Sequence, residues 1–205
     1  MLILKAVLIG TIGYLLGSVS TGMIISKIKG VDIRKQGSGN IGATNVYRTM
    51  GKTFGAIVLI GDALKGAVAT LFGGWFLGQG EGQLGMMVGG LAVQTGHSYS
   101  IFLKGQGGKG IATGLGVLSV ILPKTLLVAL PLWLLVLFIS GYVSLSSIIA
   151  AVSVPIVSWF FYQDLSLFIF ASLAALLAIW RHKSNIQRLL KGEENNFKRK
   201  KIQKG

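Results

Sequence analysis

The chain has 205 residues, of which 52% are hydrophobic and 13% charged, and its mean hydropathy is +0.68. A soluble domain carries about 25% charged residues, so this composition excludes one, and the abundance of Leu, Ile and Val excludes a disordered chain. The chain reads as an integral membrane protein. Thirty glycines against three prolines exclude collagen-like and proline-rich sequence as well. Twenty Lys and Arg against six Asp and Glu give a net charge of +14 with neutral histidines. These charges sit at the ends of apolar runs, where cytoplasmic loops retain Lys and Arg, so no nucleic-acid partner is expected. Basic clusters in such places also attract anionic lipid and phosphorylated substrates. With no cysteine, the chain has no disulfide, thiolate or Cys-ligated metal. Lys5 is the only early charge and the apolar stretch after it is too long for a signal peptide's core, so no cleaved leader is expected.

A helix needs about 20 apolar residues to cross the hydrocarbon core. Ala6 to Ser26 carries no charge and predicts the first span. Thr53 to Gly80 is broken only by Asp62 and Lys65, and Gly82 to Leu103 only by His97. Gly110 to Pro123 is short. Thr125 to Gln163 has length for two helices with a turn near Ser140-Gly141-Tyr142, and Leu165 to Trp180 is the last. Segment 27–52 and the tail beyond Arg181 hold most of the Lys and Arg, so both should face the cytoplasm. An even number of spans must then separate them, which requires 110–123 to cross. The expected fold is all-α, with seven transmembrane helices, the N-terminus outside and the C-terminus inside. Residues 1–195 form one polytopic domain and 196–205 a basic cytoplasmic tail. Trp75, Trp159, Tyr162 and Trp180 fall near helix ends, where amphipathic rings favour the interface. No internal repeat points to an inverted-repeat transporter.

Three cytoplasmic segments are richer in polar side chains than topology requires. Gly37-Ser38-Gly39-Asn40-Ile41-Gly42-Ala43-Thr44-Asn45, followed by Arg48, can converge backbone N–H groups and short hydroxyls on an anion, with Arg48 closing bidentately. Gly105-Gln106-Gly107-Gly108-Lys109-Gly110 enters a helix at Ile111 and reads as a phosphate cradle. It is not a Walker A loop, which would need Gly at 103 and Ser or Thr at 110, where the chain has Leu103 and Gly110. Beyond the last span come His182, Asn185, Arg188, Gly192 and Glu194. His182 and Asn185 share a helix face, and Gly192 suits a helix end. The run Lys198-Arg199-Lys200-Lys201 is most simply a lipid-surface anchor. Asp62 and Lys65, at i and i+3 inside a span, should pair or line a cavity, because each intramembrane charge costs about 2.5–3.5 kcal/mol at mid-helix. Six scattered carboxylates supply no metal cage, so no metal or cofactor is expected. A membrane transporter or channel for a phosphorylated metabolite would also need a basic, embedded anion site. It would place polar groups at mid-membrane in several spans, yet 82–96 and 125–163 hold few.

The motifs GSGNIGATNVYR, DALKG, GHSYSIF with GGKGIAT, and HKSNIQRLLKGEE resemble, in order and spacing, the bacterial acyl-phosphate:glycerol-3-phosphate acyltransferases over about residues 17–194. The resemblance implies a seven-helix enzyme of the bacterial inner membrane with its site facing the cytoplasm. It would move an acyl group from acyl phosphate to the 1-hydroxyl of glycerol 3-phosphate, giving lysophosphatidate and phosphate in the first step of phospholipid synthesis. Membrane lipid and the soluble enzyme that makes acyl phosphate are the implied partners. By this likeness Ser38, Asn40, Thr44, Asn45 and Arg48 bind substrate phosphate together with Gly107, Gly108, Lys109 and Gly110. Lys109, His182 and Asn185 are catalytic, while His97, Asp62, Lys65, Arg188, Gly192 and Glu194 support them. Ser100 stands where Pro is usual, and Gly105-Gln106 where Phe-Lys is common. Neither histidine is followed five residues later by Asp, since Phe102 and Gln187 stand there, which excludes the HxxxxD acyltransferases. Acyl phosphate is already activated, so catalysis reduces to holding two anions together, orienting the hydroxyl and stabilising the departing phosphate. The base is either His182 or the substrate's own phosphate, with a second pKa near about 6.

Overall fold

The computed structural model describes residues 1–78 and 80–198. Arg199, Lys200, Lys201 and Lys204 of the expected basic tail lie outside the described residues. Among those described, the regular structure is helical throughout. Two compact units divide the chain, Met1–Leu126 and the part from Leu127 onward.

The first unit contains α1 (Leu2–Ser18), α2 (Thr21–Ile28), α3 (Ala43–Met50), α4 (Lys52–Leu77), α5 (Gly82–Ser98) and α6 (Ile111–Ile121), with single 3-10 turns at Ile33–Lys35 and Ile101–Leu103. α5 packs against α1 and α4, and α6 against α4. Small residues allow this closeness: a Cβ on Gly66 would lie 2.2 Å from the Thr113 carbonyl oxygen, and one on Gly116 1.8 Å from that of Ala63. α4 shows how a membrane helix inverts the soluble pattern. Asp62, Lys65, Ala69, Thr70 and Gly73 face inward, while Leu64, Val68, Leu71 and Trp75 are exposed. The apolar surface suits lipid and the costly polar groups are shielded by neighbouring helices.

The expected first span is present as Leu2–Ile28 but is broken at Val19-Ser20, where the backbone turns extended. Ser20 restarts the chain as α2 by accepting a hydrogen bond from the Met23 amide at 3.2 Å. α7 (Pro123–Ser140) opens on a proline, which ends the preceding helix at Ile121. α6 therefore has 11 residues. At 1.5 Å per residue it rises about 16 Å, roughly half the hydrocarbon thickness.

In the second unit, α7 continues to a turn at Gly141, which has φ +75° and lies where the sequence predicts it. α8 (Val143–Tyr162), α9 (Leu165–Arg181) and α10 (Lys183–Leu190) follow. α8 packs against α9, α10 against both, and Trp133 Nε1 donates to Ser147 Oγ at 3.1 Å to join α7 to α8. Asp164 caps α9 by accepting from the Ser166 and Leu167 amides. Among the described residues, four helices are long and apolar enough to cross a membrane, counting the broken α1–α2 as one. The α9–α10 pair, bent by 57°, makes a fifth if taken together. Trp75, Trp159 and Trp180 stand exposed near helix ends.

Candidate active site

The first glycine-rich segment is a loop folded over a small core of Ile33, Ile41, Val46 and Val58. Asn45, on α3, organises it. Its Nδ2 donates to the Gln36 and Asn40 carbonyls at 2.9 and 2.8 Å and, more weakly, to Ile33 at 3.3 Å. Its Oδ1 accepts from the Ser38 amide at 2.9 Å. Expected as a phosphate ligand, Asn45 is 2% exposed with its amide committed to the loop. The physical reason is that irregular backbone makes few hydrogen bonds of its own, so a side chain supplies donors to its carbonyls. Asn40 Oδ1 accepts from the Gly42 amide, which sets the entry to α3, and no side chain caps that helix. Ser38, Asn40, Thr44 and Arg48 are half-buried around this entry. Asp32 and Arg34 flank the loop as a bidentate pair, and the guanidinium holds the Asp32 carboxyl below its usual range.

The second segment follows α5. Leu103 anchors it on the core beneath the first loop, so the two predicted phosphate motifs share one support. Lys104 and Gly105 are both left-handed, with φ of 53° and 78°. A glycine at 105 takes that conformation without the cost a side chain incurs. Gly107 and Gly108 are required for closeness: a Cβ on Gly107 would lie 2.2 Å from the His97 carbonyl oxygen, and one on Gly108 2.2 Å from His97 Nε2. The Gly108 amide donates to that His97 carbonyl at 2.9 Å. Gly110, with φ +77°, opens α6 with no side-chain cap. Lys109 is thus held half-buried between two fixed glycines at a helix N-terminus, the arrangement that favours an anion.

Behind this loop lie the intramembrane charges. Lys65 Nζ is 2.9 Å from Asp62 Oδ1 and 3.0 Å from His97 Nδ1, and all three side chains are buried. Ser100, the departure from the usual proline, is also buried and donates from Oγ to the Ser18 carbonyl at 2.7 Å. It ties the start of the loop to the end of α1. Sequence reasoning missed this role, as it missed Thr21, whose hydroxyl donates to Asp62 at 3.1 Å.

The third cluster belongs to the second unit. His182 sits at the α9–α10 bend with Nδ1 2.8 Å from the Ala178 carbonyl oxygen. A carbonyl only accepts, so Nδ1 carries the hydrogen and the neutral ring's lone pair is on Nε2. Glu194 folds back onto α10. Its Oε1 accepts from Asn185 Nδ2 at 2.9 Å and its Oε2 from Arg188 Nε at 2.8 Å. Gly192, at φ +71°, makes that return possible and closes α10 as predicted. Asn196 Nδ2 then donates to the Ser140 carbonyl and the Phe197 amide to that of Gly141, fastening the segment to the α7–α8 turn. Nothing in the sequence marks Asn196 for this.

The sequence model of the glycerol-3-phosphate acyltransferase family matches residues 7–192. A glycerol-3-phosphate acyltransferase of Desulforudis audaxviator is 47% identical over 95% of this chain and 96% of its own length. One of Carboxydothermus hydrogenoformans is 46% identical over 96% and 97%. A crystal structure of PlsY (YgiH), an integral membrane glycerol 3-phosphate acyltransferase, in its glycerol 3-phosphate form superposes with a TM-score of 0.88. The identity is 39%, covering 94% of this chain and 95% of that one. The lysophosphatidic acid form gives 0.85 at 38% identity over 93% and 94%. On these grounds the chain belongs to the glycerol-3-phosphate acyltransferase family.

Proposed function

We propose that the protein transfers an acyl group from acyl phosphate to the 1-hydroxyl of glycerol 3-phosphate. The hydroxyl oxygen attacks the acyl carbonyl carbon, the bond from that carbon to the phosphate oxygen breaks, and phosphate leaves with the electron pair. The products are lysophosphatidate and inorganic phosphate. The observation that carries this reading is the glycine loop, whose Gly107 and Gly108 backbone is fixed against His97 and presents Lys109 where α6 begins. A mixed anhydride needs little activation, so a site that binds two anions and steadies the departing phosphate suffices. The family's acceptor and the product named for the related crystal form are consistent with it.

In this scheme Ser38, Asn40, Thr44 and Arg48 bind phosphate with the Gly107–Gly110 loop, and Asn45 shapes the first loop. Lys109 offsets the repulsion between the two substrates. His182 and Asn185 orient the hydroxyl, with Arg188, Gly192 and Glu194 holding Asn185 in place. The hydroxyl proton goes to the substrate's own phosphate, or to His182 Nε2 when that phosphate is already protonated. We place the site on the cytoplasmic side of the bacterial inner membrane, within one catalytic domain of residues 1–195. Seven embedded segments give the N-terminus outside and the C-terminus inside. The Lys and Arg asymmetry supports this orientation. The short α6 fits because irregular backbone at membrane depth is tolerated where protein surrounds it.

The test is purified full-length protein in detergent with glycerol 3-phosphate and either acyl phosphate or acyl-CoA, with and without EDTA. Turnover with acyl phosphate alone, unaffected by EDTA, is expected. Robust use of acyl-CoA overturns the donor assignment.

A further inference from the structure

α1 ends inside the protein, and a helix end leaves its last carbonyls without intrahelical donors. Here they are satisfied from distant parts of the chain. Lys65 Nζ donates to the Gly17 carbonyl at 3.1 Å and to that of Val19 at 2.7 Å. Ser100 serves the carbonyl of Ser18 between them. The same ammonium lies against Asp62 and His97, so four acceptors surround three hydrogens and one hydrogen is shared. An ammonium only donates, so His97 Nδ1 accepts and the ring's own hydrogen sits on Nε2. That Nε2 is the atom packed against Gly108, while the His97 carbonyl holds the Gly108 amide. One residue therefore touches both the broken end of α1 and the ring on which the glycine loop rests.

A buried ion pair is weak evidence for stability, since well-packed apolar side chains often serve as well or better. This pair's geometry gives it a more particular use. We propose that Lys65, neutralised by Asp62, is a positioning residue for the phosphate loop: it fixes the His97 ring, and the ring sets where the Gly107–Gly110 backbone lies. The inference rests on the reading that this loop holds a substrate phosphate. It assigns Lys65 and His97 no contact with the substrate.

The experiment measures glycerol 3-phosphate and acyl phosphate saturation for full-length wild type, Asp62→Asn/Lys65→Met and His97→Asn. The double variant removes both charges together, so no bare carboxylate is left buried. His97→Asn keeps an acceptor for Lys65 but withdraws the ring from Gly108. For each variant, KM for one phosphate substrate should rise at least tenfold while kcat changes less than about threefold. Adding His97→Asn to the double variant should change KM by less than twofold further, because both act through the ring. Multiplying effects, or wild-type KM values in a folded variant, overturn the proposal. Should the double variant fail to fold, His97→Asn decides through hydrogen exchange of residues 105–112. At least tenfold faster exchange at the Gly108 amide is expected, and unchanged exchange refutes the inference. Wild type that fails to use acyl phosphate would instead overturn the donor assignment, leaving the exchange result to judge the positioning role.

Discussion

Replacing Glu194 by alanine removes the carboxylate that clamps α10. Two contacts are lost, to Asn185 at 2.9 Å and to Arg188 at 2.8 Å. Asn185 is 3% exposed, so losing its partner at Nδ2 costs about 1–3 kcal/mol. The Arg188 side chain is 32% exposed, and solvent screening limits the loss of its ion pair to about 1 kcal/mol. Together they predict about 3 kcal/mol against the docked form of α10, roughly a hundredfold in its opening equilibrium. Glu194→Gln keeps an acceptor for Asn185 while losing the charge for Arg188, so it should open α10 only about fivefold more than wild type. Peptide-level hydrogen exchange across residues 183–190 reads both directly. Acyl transfer should fall in the same order, because His182 and Asn185 depend on α10. Unchanged exchange in Glu194→Ala would refute the clamp.

The glycines of the second loop should separate by what surrounds them. Gly107→Ala and Gly108→Ala should lower kcat/KM at least hundredfold, since each methyl would meet the backbone or ring at 2.2 Å. Gly114→Ala, whose methyl has only Gln94 Oε1 at 4.0 Å, should instead raise thermal stability by about 0.5–1 kcal/mol, because alanine is the better helix former. Asn45→Ala should speed amide exchange over residues 33–40 at least tenfold, as the loop loses the side chain holding its carbonyls; unchanged exchange would contradict that role. Single cysteines at Ser38 and Gln106 should react with an impermeant reagent from the cytoplasmic side and one at Glu81 from outside, and labelling of Gln106 from outside would overturn the seven-segment topology.

Much of this architecture is legible because a membrane writes itself into sequence as long apolar runs. The turn near Gly141 and the end of α10 at Gly192 follow from glycine placement, and both have positive φ. The break in α1–α2 is not legible. Its carbonyls are satisfied by Lys65, 46 positions from Val19, and a contact that distant leaves no local mark. The glycine-rich loops are readable as candidate anion sites from residue type alone. The individual reasons are not: Gly108 is small because of His97, and Asn45 faces its own loop. An amide can serve substrate or backbone equally well, and only its partners in the fold decide, as the loop contacts of both Asn45 amide atoms show. Ser100 shows the same limit, since a departure from the usual residue proves to be a hydrogen-bonded tie to Ser18.

The central claim is that Lys109 on the fixed glycine loop recognises substrate phosphate during acyl transfer from acyl phosphate. Its most direct test is steady-state lysophosphatidate formation against glycerol 3-phosphate concentration for wild type, Lys109→Ala and Lys109→Arg, with folding checked by gel filtration. A loop lysine contributes little to helix packing, so both variants should insert and purify. Lys109→Ala should lose at least a hundredfold in kcat/KM, about 2.7 kcal/mol of transition-state binding. Lys109→Arg should recover little, because a flat fork does not replace a compact ammonium between close glycines. Near-wild-type turnover by a well-folded Lys109→Ala protein would contradict the account.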